Sequence, residues 1–197
     1  MFPLPPGVQM LVWMNAIAFV LDYFTGGRVA VELALWPIGS EALGAPGFMP
    51  WQLLTYSFFH EGFWHIALNM FGLMMFGGDV ERVWGRNRFI TYYFACVLSA
   101  GLTQLIFEAV IGVTIPTVGA SGGVFGVLLA YARLFPNRTV IPLFPPIPMP
   151  AWLFVTIYGG MELFFGVTGT QSGVAHFAHL GGMLGGWLLL HYGRTRR

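Results

Sequence analysis

Asn69 follows His65 by four residues inside a stretch that is otherwise apolar from Phe63 to Phe76, so two polar side chains share one helical face. Polar groups buried in an apolar, membrane-length segment are costly. They face the protein interior and mark functional sites. Farther along, Gly119-Ala120-Ser121-Gly122-Gly123 sets a hydroxyl at the start of an apolar helix, and His176 and His179 lie inside another. A hydroxyl nucleophile, an imidazole to take its proton and N–H donors for an oxyanion are the parts of a serine hydrolase.

Ser121 gains its meaning from position. At a helix N-terminus, unpaired backbone N–H groups and the positive end of the dipole stabilise developing negative charge. The flanking Gly119 and Gly122 let a substrate backbone approach closely. The same letters also read as a serine cap on a glycine-rich packing helix. They fit G-x-S-x-G as well, but that elbow needs alternating strands and amphipathic helices in water, which this chain lacks.

His179 is the expected base, with His176 one turn earlier as its competitor. Gly181-Gly182-Met183-Leu184-Gly185-Gly186 follows His179, and Gly122 and Gly126 follow Ser121. Such small-xxx-small faces let two helices approach closely enough for the serine of one to reach the histidine of the other. Taken singly, either histidine reads equally as a structural interhelical hydrogen bonder. For a third member, Asp79 and Glu81 sit at the far end of the second helix, and Glu108 and Glu162 lie in other segments. Glu162 is the remaining candidate, and the expectation is a Ser–His dyad.

His65 and Asn69, with the backbone N–H of Ser121, form the expected oxyanion-hole donors, and His60 joins or braces them. A polar seam that only pins helices is the plainer alternative. The histidines also raise a zinc site, but there is no H-E-x-x-H pair, so neither metal nor other cofactor is expected.

These residues need a scaffold. The chain has 197 residues, 56% hydrophobic and only 9% charged, with a mean hydropathy of +0.71. A soluble domain carries roughly 25% charged residues, so an integral membrane protein is implied, with the lipid bilayer as its solvent. Net charge is +1 with no lysine, which excludes nucleic acid as a partner. The single Cys96 excludes an intramolecular disulfide and reads as a small buried hydrophobe.

Six apolar segments can be drawn, at about 8–24, 63–80, 89–111, 121–135, 150–167 and 174–192. The fourth is short for a crossing. That is expected if Ser121 begins below the membrane surface, with residues 112–120 dipping in to a buried aqueous cavity. Residues 25–62, rich in Trp36, Trp51, Phe58 and Phe59, read as an ordered interfacial loop with its aromatics at headgroup level. The proline-rich 136–150 reads as a stiff extended connector, and Asp79 and Glu81 beside arginines as a charged brace. The fold class is therefore all-α: a single six-helix membrane domain, 1–197, with a long first loop.

Arg82, Arg86 and Arg88 follow helix two, Arg133 and Arg138 close helix four, and Arg194, Arg196 and Arg197 close helix six. Only Arg28 falls on the other side. The positive-inside rule then puts both termini in the cytoplasm and Ser121 at the outer end. No Arg-rich leader precedes the first apolar run, which points to a prokaryotic plasma membrane.

At this point the residues resemble the rhomboid intramembrane serine proteases. The likeness rests on His60-x4-His65-x3-Asn69 followed by Gly77-x3-Glu81, on Gly119-x-Ser121-Gly122, and on Ala178-His179-x2-Gly182-x3-Gly186. They occur in the family's order, in a six-helix chain of rhomboid type. The resemblance implies Ser121 as nucleophile and His179 as base, with His65 and Asn69 around the oxyanion and His60 nearby. Phe125 stands where some members stack a tyrosine on the histidine. Gln52 follows Trp51 where the family's first loop often has an arginine.

The expected activity is an intramembrane endopeptidase acting on transmembrane protein substrates, admitted beside helix five with Trp152, Phe154 and Phe165 as the gate. Such substrates must unwind to expose their carbonyls. Two other classes fit the buried polar residues: a catalytically silent binder of transmembrane helices, or a small transporter.

Overall fold

A computed structural model describes residues 3–112, 115–170 and 173–193. Arg194, Arg196 and Arg197, used above for topology, lie outside the described residues. Each expected apolar segment is helical: α1 (Pro6–Phe24), α4 (Phe63–Gly72) continued by a π turn (Leu73–Gly77) and α5 (Gly78–Trp84), α6 (Arg86–Ile111), α7 (Ser121–Leu134), α8 (Ala151–Thr168) and α9 (His176–Tyr192). Three of these, α1, α6 and α8, are long and apolar enough to cross a membrane by length and composition. α7 is shorter. Its 14 residues rise about 21 Å, less than a hydrocarbon core of about 30 Å.

Glycine decides how α6, α7 and α9 meet. A Cβ on Gly182 would lie 1.9 Å from the Gly122 carbonyl oxygen, and one on Gly126 would lie 2.3 Å from Cys96 Sγ. Gly181 and Gly185 instead press on Thr103 and Ser99 of α6, at 2.5 and 2.4 Å from a built Cβ. α9 is thus clamped between α6 and α7 along two glycine faces. Polar side chains close the seams, because Tyr92 Oη donates to the Gly126 carbonyl and Ser99 Oγ to that of Gly181, each at 2.8 Å. Buried hydroxyls satisfied in this way hold helices together where apolar burial gives no net drive.

The loop from 25 to 62 contains α2 (Arg28–Leu33), a 3-10 turn (Ser40–Leu43), α3 (Gln52–Thr55) and a second 3-10 turn (Tyr56–Phe58). Gln52, fully buried, knits it together. Its Oε1 accepts from the Trp36 and Met49 N–H groups and its Nε2 donates to the Glu32 carbonyl. The residue that departs from the family's arginine is therefore itself the anchor. Of the loop's aromatics, Trp51 is exposed and Phe59 is buried.

Two further expectations are corrected. The proline-rich connector is not extended but folds back as β1 (Thr139–Val140) paired antiparallel with β2 (Met149–Pro150). Its ends are tied by Ala151 N–H to the Arg138 carbonyl and Trp152 N–H to that of Pro136. Pro150 is tolerated because a two-stranded ribbon has only edges. The acidic pair, in turn, divides its work. Asp79 binds Arg82 and Arg138, joining an arginine of the last turn of α5 to one that follows α7 at one end of the bundle. Glu81 meets no arginine among the described residues; its carboxylate accepts the N–H groups of Gly7 and Val8, both at 2.7 Å, and so caps α1.

Candidate active site

Ser121 is the first residue of α7, and His179 lies on the second half-turn of α9. The Gly122 to Gly182 approach fixes the distance between the two helices at this level. His179 Nε2 lies 2.7 Å from Ser121 Oγ, within the range of a strong hydrogen bond. Phe125, one turn after Ser121, stacks on the His179 ring with centroids 4.4 Å apart and planes within 9°. That stacking fixes the ring plane without any hydroxyl.

The approach to Ser121 is backbone held from behind. Thr117 pairs with Leu35 through two backbone hydrogen bonds of 2.9 and 3.0 Å, and Gly119 N–H donates to the Tyr56 carbonyl. Residues 113 and 114 of the expected dipping loop lie outside the described residues; Thr117, Gly119 and Ala120 are buried. Gly119 has φ +130°, a conformation that side chains rarely adopt, and a Cβ there would lie 2.9 Å from His65 Nε2. The same built atom is 3.6 Å from Ser121 Oγ. His65 therefore borders the space directly above the hydroxyl.

Asn69 is buried and its Nδ2 donates to the His65 carbonyl at 3.0 Å, which leaves its second N–H for the cavity that both residues line. His60 does not line that cavity. Its Nε2 accepts the Ala120 N–H at 3.4 Å, and its ring meets that of His65 edge-on at 4.9 Å. Burial, with His65 beside it, pushes the His60 imidazole down to about 3, which favours its neutral form. His60 braces the segment that carries Ser121.

The cavity has a volume of about 1000 Å³ and is walled by His65, Asn69, Ser121, Phe125 and His179. Of the expected gate residues, Phe154 and Phe165 line it, while Trp152 points outward and does not.

Glu162 is the third-member candidate that the sequence leaves open beside the expected dyad. Its Oε2 lies 2.8 Å from His179 Nδ1 and 2.6 Å from His176 Nδ1. Seventeen residues separate Glu162 from His179, and the turn between α8 and α9 that folds one onto the other leaves no mark in residue spacing. The legible signal is Gly159-x-x-Glu162-x-x-x-Gly166, a carboxylate bracketed by glycines on an apolar helix. The three donor atoms of Glu162, His176 and His179 lie within 4.8 Å of one another, which is the spacing of a metal-ligand set. Here those atoms are spent on hydrogen bonds to one another. Tyr56 went unmarked by sequence reasoning: its Oη donates to the Val97 carbonyl at 2.9 Å, tying the first loop to α6 behind Ser121.

Against known proteins, the family model described as the rhomboid domain matches residues 47–196, about three quarters of the chain. The chain belongs to the rhomboid family. Rhomboid protease GluP of Bacillus subtilis is 27% identical over 186 residues, covering 93% of this chain and 34% of the relative. Putative rhomboid protease YdcA of the same organism is 27% identical over 188 residues, covering 92% of this chain and 82% of the relative. Rhomboid protein 1, mitochondrial, of Saccharomyces cerevisiae is 31% identical over 104 residues, covering 52% of this chain and 30% of the relative. The chain spans about a third of the length of GluP and the yeast protein. Rhomboid membership and the apolar helices make it an integral membrane protein, and the protease-named relatives support peptide-bond hydrolysis at the level of the family.

Proposed function

We propose that this rhomboid is an intramembrane serine endopeptidase that cleaves transmembrane protein substrates through an acyl-enzyme on Ser121. The observation that carries the reading is the 2.7 Å approach of Ser121 Oγ to His179 Nε2 at the wall of a large cavity. His179 takes the hydroxyl proton as Oγ attacks the scissile carbonyl. The oxyanion forms in the space bordered by the His65 ring, the free N–H of Asn69 and the N-terminus of α7. The imidazolium then returns its proton to the leaving amine, and water, activated by the same imidazole, releases the acyl group. No metal enters this scheme.

In this reading the six helical segments are six spans of one domain, with Ser121 at the outer end, both termini in the cytoplasm and the protein in a prokaryotic plasma membrane. The arginines gathered around Asp79, opposite the Ser121 end of α7, support that orientation. A substrate helix must unwind before its carbonyls can meet Ser121, because an intact helix holds them in i to i−4 bonds. Segments weakened by Gly or Pro are the expected substrates, entering beside α8.

Incubation with a fluorescent serine-directed phosphonate tests the chemistry. The parent is expected to label, Ser121→Ala not at all, and His179→Ala slower by roughly 10³-fold. Equal labelling of all three proteins overturns the assignment.

A further inference from the structure

We propose that Glu162 is a positioning residue that fixes the tautomer of His179, with His176 as the clamp that holds the carboxylate in place. The inference rests on the reading of His179 as the base, and the observation beneath it is that one oxygen, Glu162 Oε2, meets Nδ1 of both imidazoles.

A carboxylate only accepts, and one oxygen has two lone pairs, so it takes one N–H from each ring. His179 must then carry its proton on Nδ1, which leaves Nε2 bare and aimed at the Ser121 hydroxyl. The other tautomer would point an N–H at the hydroxyl and take no proton from it. When Ser121 gives up its proton, His179 becomes an imidazolium whose Nδ1–H still faces the carboxylate. The charge is paired where it forms, and the proton returns from Nε2 to the leaving amine without passing to Glu162.

The helices are shaped for this contact. A Cβ on Gly159 would touch Met183, and one on Gly166 would sit 3.0 Å from Phe177 and 3.2 Å from His176 Cβ. Gly159 and Gly166, on either side of Glu162, thus lie against α9, so the carboxylate reaches both rings. Glu162 and the two histidine side chains are shielded, at 14%, 5% and 11% exposure. Removing one partner of such a buried pair leaves the other unpaired.

The test uses the full chain in detergent or proteoliposomes, with Glu162→Gln, His176→Ala and the double variant Glu162→Gln/His179→Ala. Glu162→Gln is expected to lower kcat by roughly 10²-fold or more at nearly unchanged KM. His176→Ala should lower it less. In the His179→Ala background Glu162→Gln should add almost nothing, since groups that act as one unit are not additive. Preserved kcat in Glu162→Gln, or a rise in KM alone, overturns the proposal and leaves Glu162 as a brace for α8, while phosphonate labelling of Ser121 would still stand. A second readout does not need turnover: 15N spectra of histidine-labelled protein should show the His179 proton on Nδ1 in the parent and displaced toward Nε2 in Glu162→Gln. A parent carrying that proton on Nε2 overturns it too.

Discussion

α7 and α8 follow one another in the chain and border the same cavity, yet they are packed in opposite ways. Of the 14 residues of α7, eight are buried, and the helix touches its neighbours through bare glycine backbone. α8 buries Ala151, Phe154 and Val155 out of 18 residues, all near its first turn, and turns Ile157, Met161, Leu163, Phe164 and Val167 outward. Ser121 and His179 sit on the first kind of packing, which has no slack. Glu162, whose carboxylate meets His179, comes from the second kind. Under the proposed function, precision falls where bonds would be made and broken, and looseness on the side from which a substrate helix would arrive.

That contrast breaks most completely at Gly182. A methyl there would lie 1.9 Å from a backbone oxygen of α7, and backbone cannot step aside as a side chain can. Gly182→Ala is expected to cost roughly 3 kcal/mol or more and to abolish labelling of Ser121, both followed by thermal unfolding and phosphonate reactivity of the same preparation. Normal labelling by Gly182→Ala would show that the clamp is softer than its geometry. A second test sharpens the rigid side by touching its chemistry alone. Asn69→Ala should lower kcat by about 3 kcal/mol of transition-state stabilisation with little change in KM. A pure rise in KM would make Asn69 a substrate contact or a brace.

The rigid half was more legible in sequence than the loose half, for a physical reason. Close helix approach demands small residues at fixed spacing, so Gly122, Gly126 and Gly182 announced which faces of α7 and α9 meet and brought Ser121 and His179 to one level, while Gly186 packs on Tyr92 of α6. Glu162 on α8 is bracketed by Gly159 and Gly166, but that spacing does not say which histidine the carboxylate meets, and its partners lie on another helix. The same holds for Glu81. Next to Arg82 it reads as an ion-pair partner, and only the tertiary path of α1 shows that its carboxylate receives two backbone N–H groups. The proline-rich connector failed for a related reason: proline fixes φ but not pairing, and a two-residue ribbon lies below any sequence signal. The π turn at Leu73–Gly77, inside an unbroken apolar run, was equally silent.

Glu81 offers an intermediate test at the other end of the bundle. α1 begins at Pro5–Pro6 with no side-chain cap of its own, so the Glu81 carboxylate is what satisfies its first N–H groups and meets its positive end. Glu81→Gln replaces one accepting oxygen by an N–H donor facing a backbone N–H. A loss of about 2 kcal/mol is expected, read as a lower unfolding temperature, with the kcat of the surviving folded protein unchanged. A fall in kcat without loss of stability would instead tie α1 to catalysis.

The smallest effect is expected at Gly160 on α8, and its sign is what matters. A Cβ there meets nothing within 4 Å, and the backbone is ordinary helix, so a methyl adds no clash. Alanine is favoured over glycine in a helix interior by up to about 1 kcal/mol, because it has less backbone freedom to lose. Gly160→Ala should therefore leave unfolding unchanged or slightly raised, in opposition to the same substitution at Gly182. If the looseness of α8 serves substrate entry, stiffening it should also slow cleavage of a transmembrane substrate while phosphonate labelling, which needs only a small reagent to reach Ser121, stays at the parent rate. Equal rates on both would mean that α8 yields by moving as a rigid rod rather than by bending at its glycines.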